Sequence, residues 1–366
     1  RLSCVGVQTV AGRVQVRWET ESAATPMGQL AYFIEFRNLT GLWSRWLEEC
    51  PLTYTSPNAP SKAEVLGTWL LSMLAGHRRY SHVTTIRCDG INPGLLGMRK
   101  VISEDALRNA LKRIPEAEGT AWLDTHLADS VAPLLDAAWI LDTDTTIKPL
   151  YGHQEGALIG YNPKKPGRPS HAYHTYLMAG LRQVLGVEVR AVNEHTAKHA
   201  QPGLLKILDA LPSRKPRLVR GDNAFGNDSL MTALEERHQP YLFKLKLSKN
   251  VKRHIGKLFR QPGWTDAGQG WEGLDGELAL TGWGQKRRVV VLRRPLMGEI
   301  AVTGDDTDNG QQLLAFVEAD RKAGKGITGY EYAVLVTNTD HEVLSLGQLY
   351  RDRADAENAF DEPKNQ

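Results

Sequence analysis

Three carboxylates define the chemistry open to this chain. Asp144 closes the run Ile140-Leu-Asp-Thr-Asp144, Asp222 follows Leu218-Val-Arg-Gly221, and Glu357 lies near the end of the 366 residues. Carboxylate oxygens suit Mg2+, and Mn2+ is acceptable to the same donors. Two such ions about 3.5–4 Å apart hold the attacking and leaving oxygens on opposite sides of one phosphorus. The trio therefore predicts metal-assisted phosphodiester chemistry, provided the fold brings its members together. Without metal the three would repel one another, which predicts a poorly ordered or partly protonated site. Cys4, Cys50 and Cys88 are far apart and match no zinc spacing.

The elements around these residues decide whether they can converge. Residues 137–145 alternate as a strand, so Asp142 and Asp144 point to one face and compete for one role. Residues 217–220 read as a short strand, and Gly221 as the residue that lets the chain turn at its end. Strand ends are where open α/β sheets build sites. Singly, each aspartate reads as a turn residue or a helix cap. Two at strand ends with a glutamate on a helix read as a site.

That helix is expected over residues 346–362. Ser345 followed by Gln348 predicts a capping box at its start. Leu346, Tyr350, Arg353, Glu357, Phe360 and Lys364 fall along one stripe. Charges on an inward stripe, with Asp352, Asp355 and Glu362 already serving the outer face, call for an explanation beyond packing. The plain alternative is an i,i+4 pair between Arg353 and Glu357. Pro363 removes a backbone donor and clashes with the preceding turn, so the helix should end near Glu362 and carry Lys364 off the stripe.

The rest of the chain supplies the frame. A strand in residues 14–18 leads to an amphipathic segment, 31–50, and a loop, 51–61. Ser61 with Glu64, and Ser103, should cap two helices, through Leu66, Leu70, Leu71 and Leu74 and through Leu107, Leu111 and Ile114. The pair reads as ordinary helical packing more readily than as a DNA-reading helix-turn-helix. From residue 137 the order is three strands (137–145, 172–180, 187–193), a helix (202–211), a strand (217–220), a helix (228–237) and a strand (241–247), an α/β pattern. Residues 248–337 read as a mostly β insertion, with strands at 287–292 and 332–337 and an exposed acidic loop at 304–310. Its Trp264, Trp271 and Trp283 read as a small core, or as stacking platforms for a flipped base.

Apolar content of 41% and charged content of 24% are those of a soluble globular protein, and 366 residues predict two or more domains or one core with a large insertion. No apolar run approaches a membrane span, no signal peptide is evident and the cysteine usage fits a reducing, cytoplasmic setting. The start at Arg1 and the stop two residues after Lys364 suggest a fragment. Within residues 161–260 stand 19 Lys and Arg against seven Asp and Glu, +12 net in a chain whose total is +3. That imbalance predicts a polyanion partner, most simply nucleic acid, met by a basic face beside the carboxylates.

The spacing Tyr350, Arg353, Glu357, Lys364 resembles the Tyr-Arg-Glu-Lys signature of DDE insertion-sequence transposases of the IS-four-like branch. Asp144-Thr-Thr146 and Asp222 resemble the family's first and second motifs, and Tyr151-Gly-His-Gln-Glu-Gly156 and Gly160-Tyr-Asn-Pro-Lys-Lys165 resemble its thirteen-eighty group. The Thr-Thr after Asp144 favours it over Asp142. The resemblance implies a ribonuclease H-like core (131–247 and 338–366) with the β-rich insertion (248–337) before the last helix. Ahead of it would come an N-terminal strand and linker (1–60) and a helical, DNA-end-binding region (61–130). It implies two Mg2+ on Asp144, Asp222 and Glu357, and cleavage of element ends followed by strand transfer. It also implies a homodimer on paired ends, in a bacterial cytoplasm at the nucleoid. Tyr350, Arg353, Lys364, Lys164, Lys165 and Arg168 would then meet DNA phosphates. A non-catalytic DNA-binding relic and a nuclease of RNA–DNA hybrids are the competing readings.

Overall fold

The computed structural model describes residues 4–17, 21–152, 154–162, 165–193, 196–295 and 330–354. The chain divides into two compact units, Arg1–His126 and Leu127–Asn365. Among the described residues no helix is long and apolar enough to cross a membrane.

The first unit opens with a hairpin of β1 (Cys4–Thr9) and β2 (Gly12–Arg17). Helices follow: α1 (Leu30–Leu39), α2 (Leu42–Glu48), α3 (Lys62–Leu74), α4 (Asn92–Leu95), α5 (Glu104–Leu111) and α6 (Glu116–Val131). The expected caps are present. The Ser61 hydroxyl accepts from the Glu64 N–H while the Glu64 carboxylate accepts from the Ser61 N–H, and Ser103 accepts from Ala106. Trp46 and Trp122 stack at 5.0 Å in the core, and Trp122 Nε1 donates to the Trp46 carbonyl. A 3-10 helix, Tyr80–Ile86, and α4 lie between α3 and α5. These two are therefore not joined by the three- or four-residue turn of a helix-turn-helix. They pack instead, with the Ile102 N–H reaching Thr68 Oγ1 at 3.1 Å.

The second unit is built on one ten-stranded mixed sheet. Its strands are β3 (Ile140–Pro149), β4 (Leu158–Ile159), β5 (Pro169–Met178), β6 (Gln183–Ala191), β7 (Leu218–Gly221), β8 (Tyr241–Lys244), β9 (Thr265–Gly268), β10 (Trp271–Leu278), β11 (Arg287–Pro295) and β12 (Tyr330–Thr337). The order is β4-β5-β3-β7-β8-β12-β11-β10-β9, with β6 also paired to β5. β3 runs antiparallel to β5 and parallel to β7, and β7 runs parallel to β8. The strands of 248–337 do not form a separate layer. β12 pairs with β8, so they extend the same sheet.

Strand alternation sends side chains to two cores. Leu141, Val219, Phe243, Val291 and Val334 face α7 (Thr196–Ala210), α8 (Asp228–Glu236) and α9 (Lys249–Leu258). Leu218, Leu242, Val290, Leu292 and Leu335 face the last described helix, α10 (Val343–Arg351), through Leu346. Helix α9 was not foreseen within the β-rich stretch. Ser248 caps it, and Val251, Ile255 and Leu258 bury one face. Its exposed Lys249, Arg253 and Lys257 therefore lie on the side of the sheet opposite α10.

Helix α10 starts three residues earlier than Ser345 suggests. Glu342 is the N-cap with no side-chain bond, and Ser345 lies inside the helix. The reason is packing. A Cβ on Gly273 of β10 would come within 2.3 Å of Val343 Cγ1, so the helix's first residue rests on bare sheet backbone. Gly347 is as close, since a Cβ there would stand 2.9 Å from the Ala267 carbonyl oxygen of β9. Gly347→Val should push α10 off the sheet and lower stability by about 1–3 kcal/mol. A thermal melt superimposable on that of the parent would show that the contact yields freely.

Candidate functional site

Parallel pairing of β3 with β7 sets the site's register. Asp142 lies opposite Arg220, and Thr143 opposite Gly221. The next residues, Asp144 and Asp222, therefore continue one row across neighbouring strands spaced roughly 5 Å apart. Gly221 in turn pairs with Phe243, so Lys244 extends that row on β8. Ile140 and Leu218 pack in the α10-side core, and alternation carries Asp142, Asp144, Arg220 and Asp222 to that same face. Gly221 is not the turning residue it was expected to be. It is the last residue of β7, with no positive φ, and a Cβ there would meet the Phe225 ring at 3.0 Å. Its smallness makes room for that ring.

Asp222 caps its own turn, with one carboxylate oxygen accepting from the Ala224 N–H at 2.9 Å. This is the local role that the sequence offers a lone aspartate after a strand. Asp144 is 16% exposed and accepts from Arg353 Nη2 at 3.3 Å. Arg353 also donates to the Thr143 carbonyl and is 2% exposed. Its cation is thus set against the Asp144 carboxylate and offsets part of the negative charge there. Tyr350 is half-buried on the same side as Leu346. The predicted inward stripe therefore holds as far as residue 353. Glu357, Pro363 and Lys364 lie outside the described residues, as does Lys164.

Lys165 and Arg168 belong to the loop before β5, at the end of the sheet where β3 finishes. Arg168 Nε donates to the Leu150 carbonyl and its guanidinium stands 4.0 Å from the Tyr151 ring centroid, while Lys165 Nζ donates to the Tyr151 hydroxyl. That bond, followed by the charges of Lys165 and Arg168, holds the Tyr151 hydroxyl below its usual pKa. The expected basic face is divided. Lys244 extends the carboxylate row. Lys165 and Arg168 lie past the end of β3, which runs five residues beyond Asp144, so Asp144 stands mid-strand and not at the expected strand end. The α9 cations occupy the opposite layer. The three tryptophans are packed into the two cores, and Arg293 stacks on Trp264 at 3.7 Å.

Asp142 differs sharply from Asp144. It is fully buried, and Arg220 grips both of its oxygens at 2.6 Å through Nε and Nη2. The third guanidinium nitrogen, Nη1, donates to the Leu349 carbonyl of α10. Sequence reasoning singled out Asp142 but not Arg220. The available signal was position, since each stands two residues before an aspartate of the row and so faces the same way. A hollow of about 500 Å³ lined by Trp139, Arg217, His341 and Gln348 sits at the starts of β3 and β7, away from the carboxylates.

Among the described residues no three His, Cys, Asp or Glu side chains form a metal-sized group. The donors present are nevertheless all oxygen, on adjacent strands and one face, which fits a hard divalent ion better than zinc with its preference for nitrogen and sulfur. The family model described as the transposase DDE domain, group 1, matches residues 61–366. The chain belongs to that family. It is a DNA transposase of the DDE type, and such domains use divalent metal, generally Mg2+. No curated protein matches it. Among solved structures it is similar to a piggyBac transposase in a synaptic complex with hairpin DNA, at 12% identity and a TM-score of 0.43 over 93% of this chain and 69% of that one. A Mos1 transposase in a paired-end complex with a left transposon end follows at 13% and 0.21, over 52% of this transposase and 61% of that chain.

Proposed function

We propose that this transposase cuts DNA at the ends of its element and joins the freed 3′-hydroxyls to target DNA. The observation that carries the reading is the row of Asp144 and Asp222, one strand apart on the face that α10 covers. Glu357, four residues beyond Arg353, would complete the set. Asp144, Asp222 and Glu357 would hold two Mg2+, which supply a nucleophilic water and neutralise the leaving oxygen. The chain's own groups do the rest. Arg353 holds Asp144, and Lys165 and Arg168, past the end of β3, offer cations to backbone phosphates. The order β6-β5-β3-β7-β8, antiparallel on one side of β3 and parallel on the other, supports a ribonuclease H-like core. The Tyr350–Arg353 spacing supports the IS-four-like branch. A homodimer on paired ends, in a cytoplasm at the nucleoid, is the setting this chemistry would need.

Binding to element-end DNA should weaken steeply with salt. If six phosphates are neutralised, affinity should fall roughly a thousandfold between 50 and 200 mM salt. A flat salt dependence in a filter-binding titration would argue against phosphate contact as the main source of affinity. Incubation with paired ends, target plasmid and Mg2+ then separates the alternatives. Joined products support transposition, binding without cutting marks a relic, and cutting of RNA–DNA hybrids alone marks a host-type nuclease.

A further inference from the structure

We propose that Arg220, held by Asp142, is a positioning clamp that fixes the last turn of α10 and thereby aims Arg353 at Asp144. The inference rests on the DNA-cutting assignment of the Asp144–Asp222 row, which it extends to two residues that do not touch the reacting atoms.

The clamp joins three elements at one buried point. Asp142 on β3 and Arg220 on β7 are opposite one another in register and are 0% and 2% exposed. A bidentate guanidinium–carboxylate pair has little rotational freedom, so the direction of the remaining nitrogen is fixed by the sheet. That nitrogen is Nη1, and it meets the Leu349 carbonyl, 129 residues away. Leu349 is in the last turn of α10, where a cation is favourable. Arg353 follows four residues later and reaches Asp144. Each member of the clamp precedes a member of the carboxylate row by two residues, roughly 6.6 Å along its strand. A shift of the clamp is therefore passed directly to the row.

A buried ion pair is weak evidence of stability, because apolar residues of similar volume often serve as well. Its better-attested use is to fix register. Here the register at stake is that of a helix held otherwise by apolar contact, the close approach of Gly347 and Arg351 Nη2 on the Ala267 carbonyl. Apolar contacts resist separation more than sliding. The bond to Leu349 opposes sliding, because it is directional.

The test uses the full chain carrying Asp142→Leu with Arg220→Met, a volume-matched apolar pair, and Arg220→Lys alone, which keeps the charge but not the fork. Two quantities are read: amide hydrogen exchange across Val343–Arg351, and single-turnover cleavage of element-end DNA as Mn2+ is titrated. The clamp predicts exchange at least tenfold faster in α10 with β3 and β7 still protected. It also predicts cleavage slowed about a hundredfold, the order expected of a misplacement near 1 Å, and a raised Mn2+ midpoint. A purely structural pair would leave the Mn2+ midpoint of the folded protein unchanged. If the double variant does not fold, Arg220→Lys carries the same expectations in milder form. Unchanged exchange in α10 overturns the clamp, and so does faster exchange with parental cleavage and midpoint. A parent protein that neither cuts nor joins DNA refutes the proposed function instead, and the exchange data alone then decide the clamp.

Discussion

Asp144→Ala and Asp222→Ala should each abolish DNA cleavage while leaving DNA affinity within a few-fold of the parent. Both carboxylates stand in one row, and neither is needed for the cations at Lys165, Arg168 and α9 that would supply the salt-sensitive affinity. Losing one ligand of a shared metal site removes the charge that holds the ion, so activity falls by orders of magnitude. Asp142→Ala belongs to a different class. It strands the Arg220 guanidinium, 2% exposed, without its carboxylate, and a broken buried pair costs about 3–5 kcal/mol. Its loss of activity should follow its loss of folded protein and of α10 position. Cleavage and binding measured on the same preparations, beside a urea melt, separate the two classes. Full activity in Asp222→Ala would remove Asp222 from the site. Inactivity of Asp142→Ala at parental stability, with Asp144→Ala active, would exchange those two roles.

Arg287→Met should be among the most destabilising substitutions in the second unit, by about 3–5 kcal/mol at neutral pH. Arg287, 4% exposed at the start of β11, donates to Asp228 at 2.6 Å and to Glu235 at 2.7 Å. These are the first residue and the last turn of α8, the helix that follows the Asp222 turn. One cation thus pins both ends of the element behind a candidate ligand. Burial alone would weaken the Arg287 charge, but its bonds to Glu235 and Asp228 outweigh that and raise its pKa. The bond to Arg287 holds Asp228 below the usual carboxylate range. Burial pushes Glu235 up, yet its bonds to Arg287 and Tyr241 bring it below normal. Carboxylates lowered in the folded state contribute stability above their unfolded values of about 3.9 and 4.3. That contribution is lost as pH falls through the lowered folded values. The parent should therefore lose stability steeply below pH of about 4, and Arg287→Met should show a flatter acid limb. Urea melts between pH 7 and 3 read both, and parallel limbs in the two proteins would contradict the pairing.

Much of the second unit was legible because its signals are local. Alternation located β3, β5 and β7 to within a few residues, and side-chain caps marked α3 and α5. Other elements were hidden by contacts distant in sequence. β10 carries Gly273 and Gly276, poor strand formers that weaken its signal. Each admits a helix, Val343 of α10 at one and His254 and Leu258 of α9 at the other. Helix α9 had a readable signal in Ser248, Val251, Ile255 and Leu258, outweighed by the β character assigned to its surroundings. The start of α10 was misread because the Ser345–Gln348 pattern competes with the packing of Val343, and packing wins. At the candidate site, alternation made the shared face of Asp142 and Asp144 readable, and helical spacing the inward face of Tyr350 and Arg353. Arg220 was not readable, since its partners lie 78 and 129 residues away.

The central claim is that Asp144, Asp222 and Glu357 gather around shared divalent metal. Its most direct test is to replace Mg2+ with Fe2+ in the full chain, add ascorbate and peroxide, and map where the polypeptide backbone is cut. Radicals generated at a bound ion cut nearby chain. Cuts clustered near residues 144, 222 and 357, suppressed by excess Mg2+ and lost in Asp222→Ala, are the predicted result. Cuts near 144 and 222 with none near 357, or a pattern indifferent to Mg2+, would contradict it.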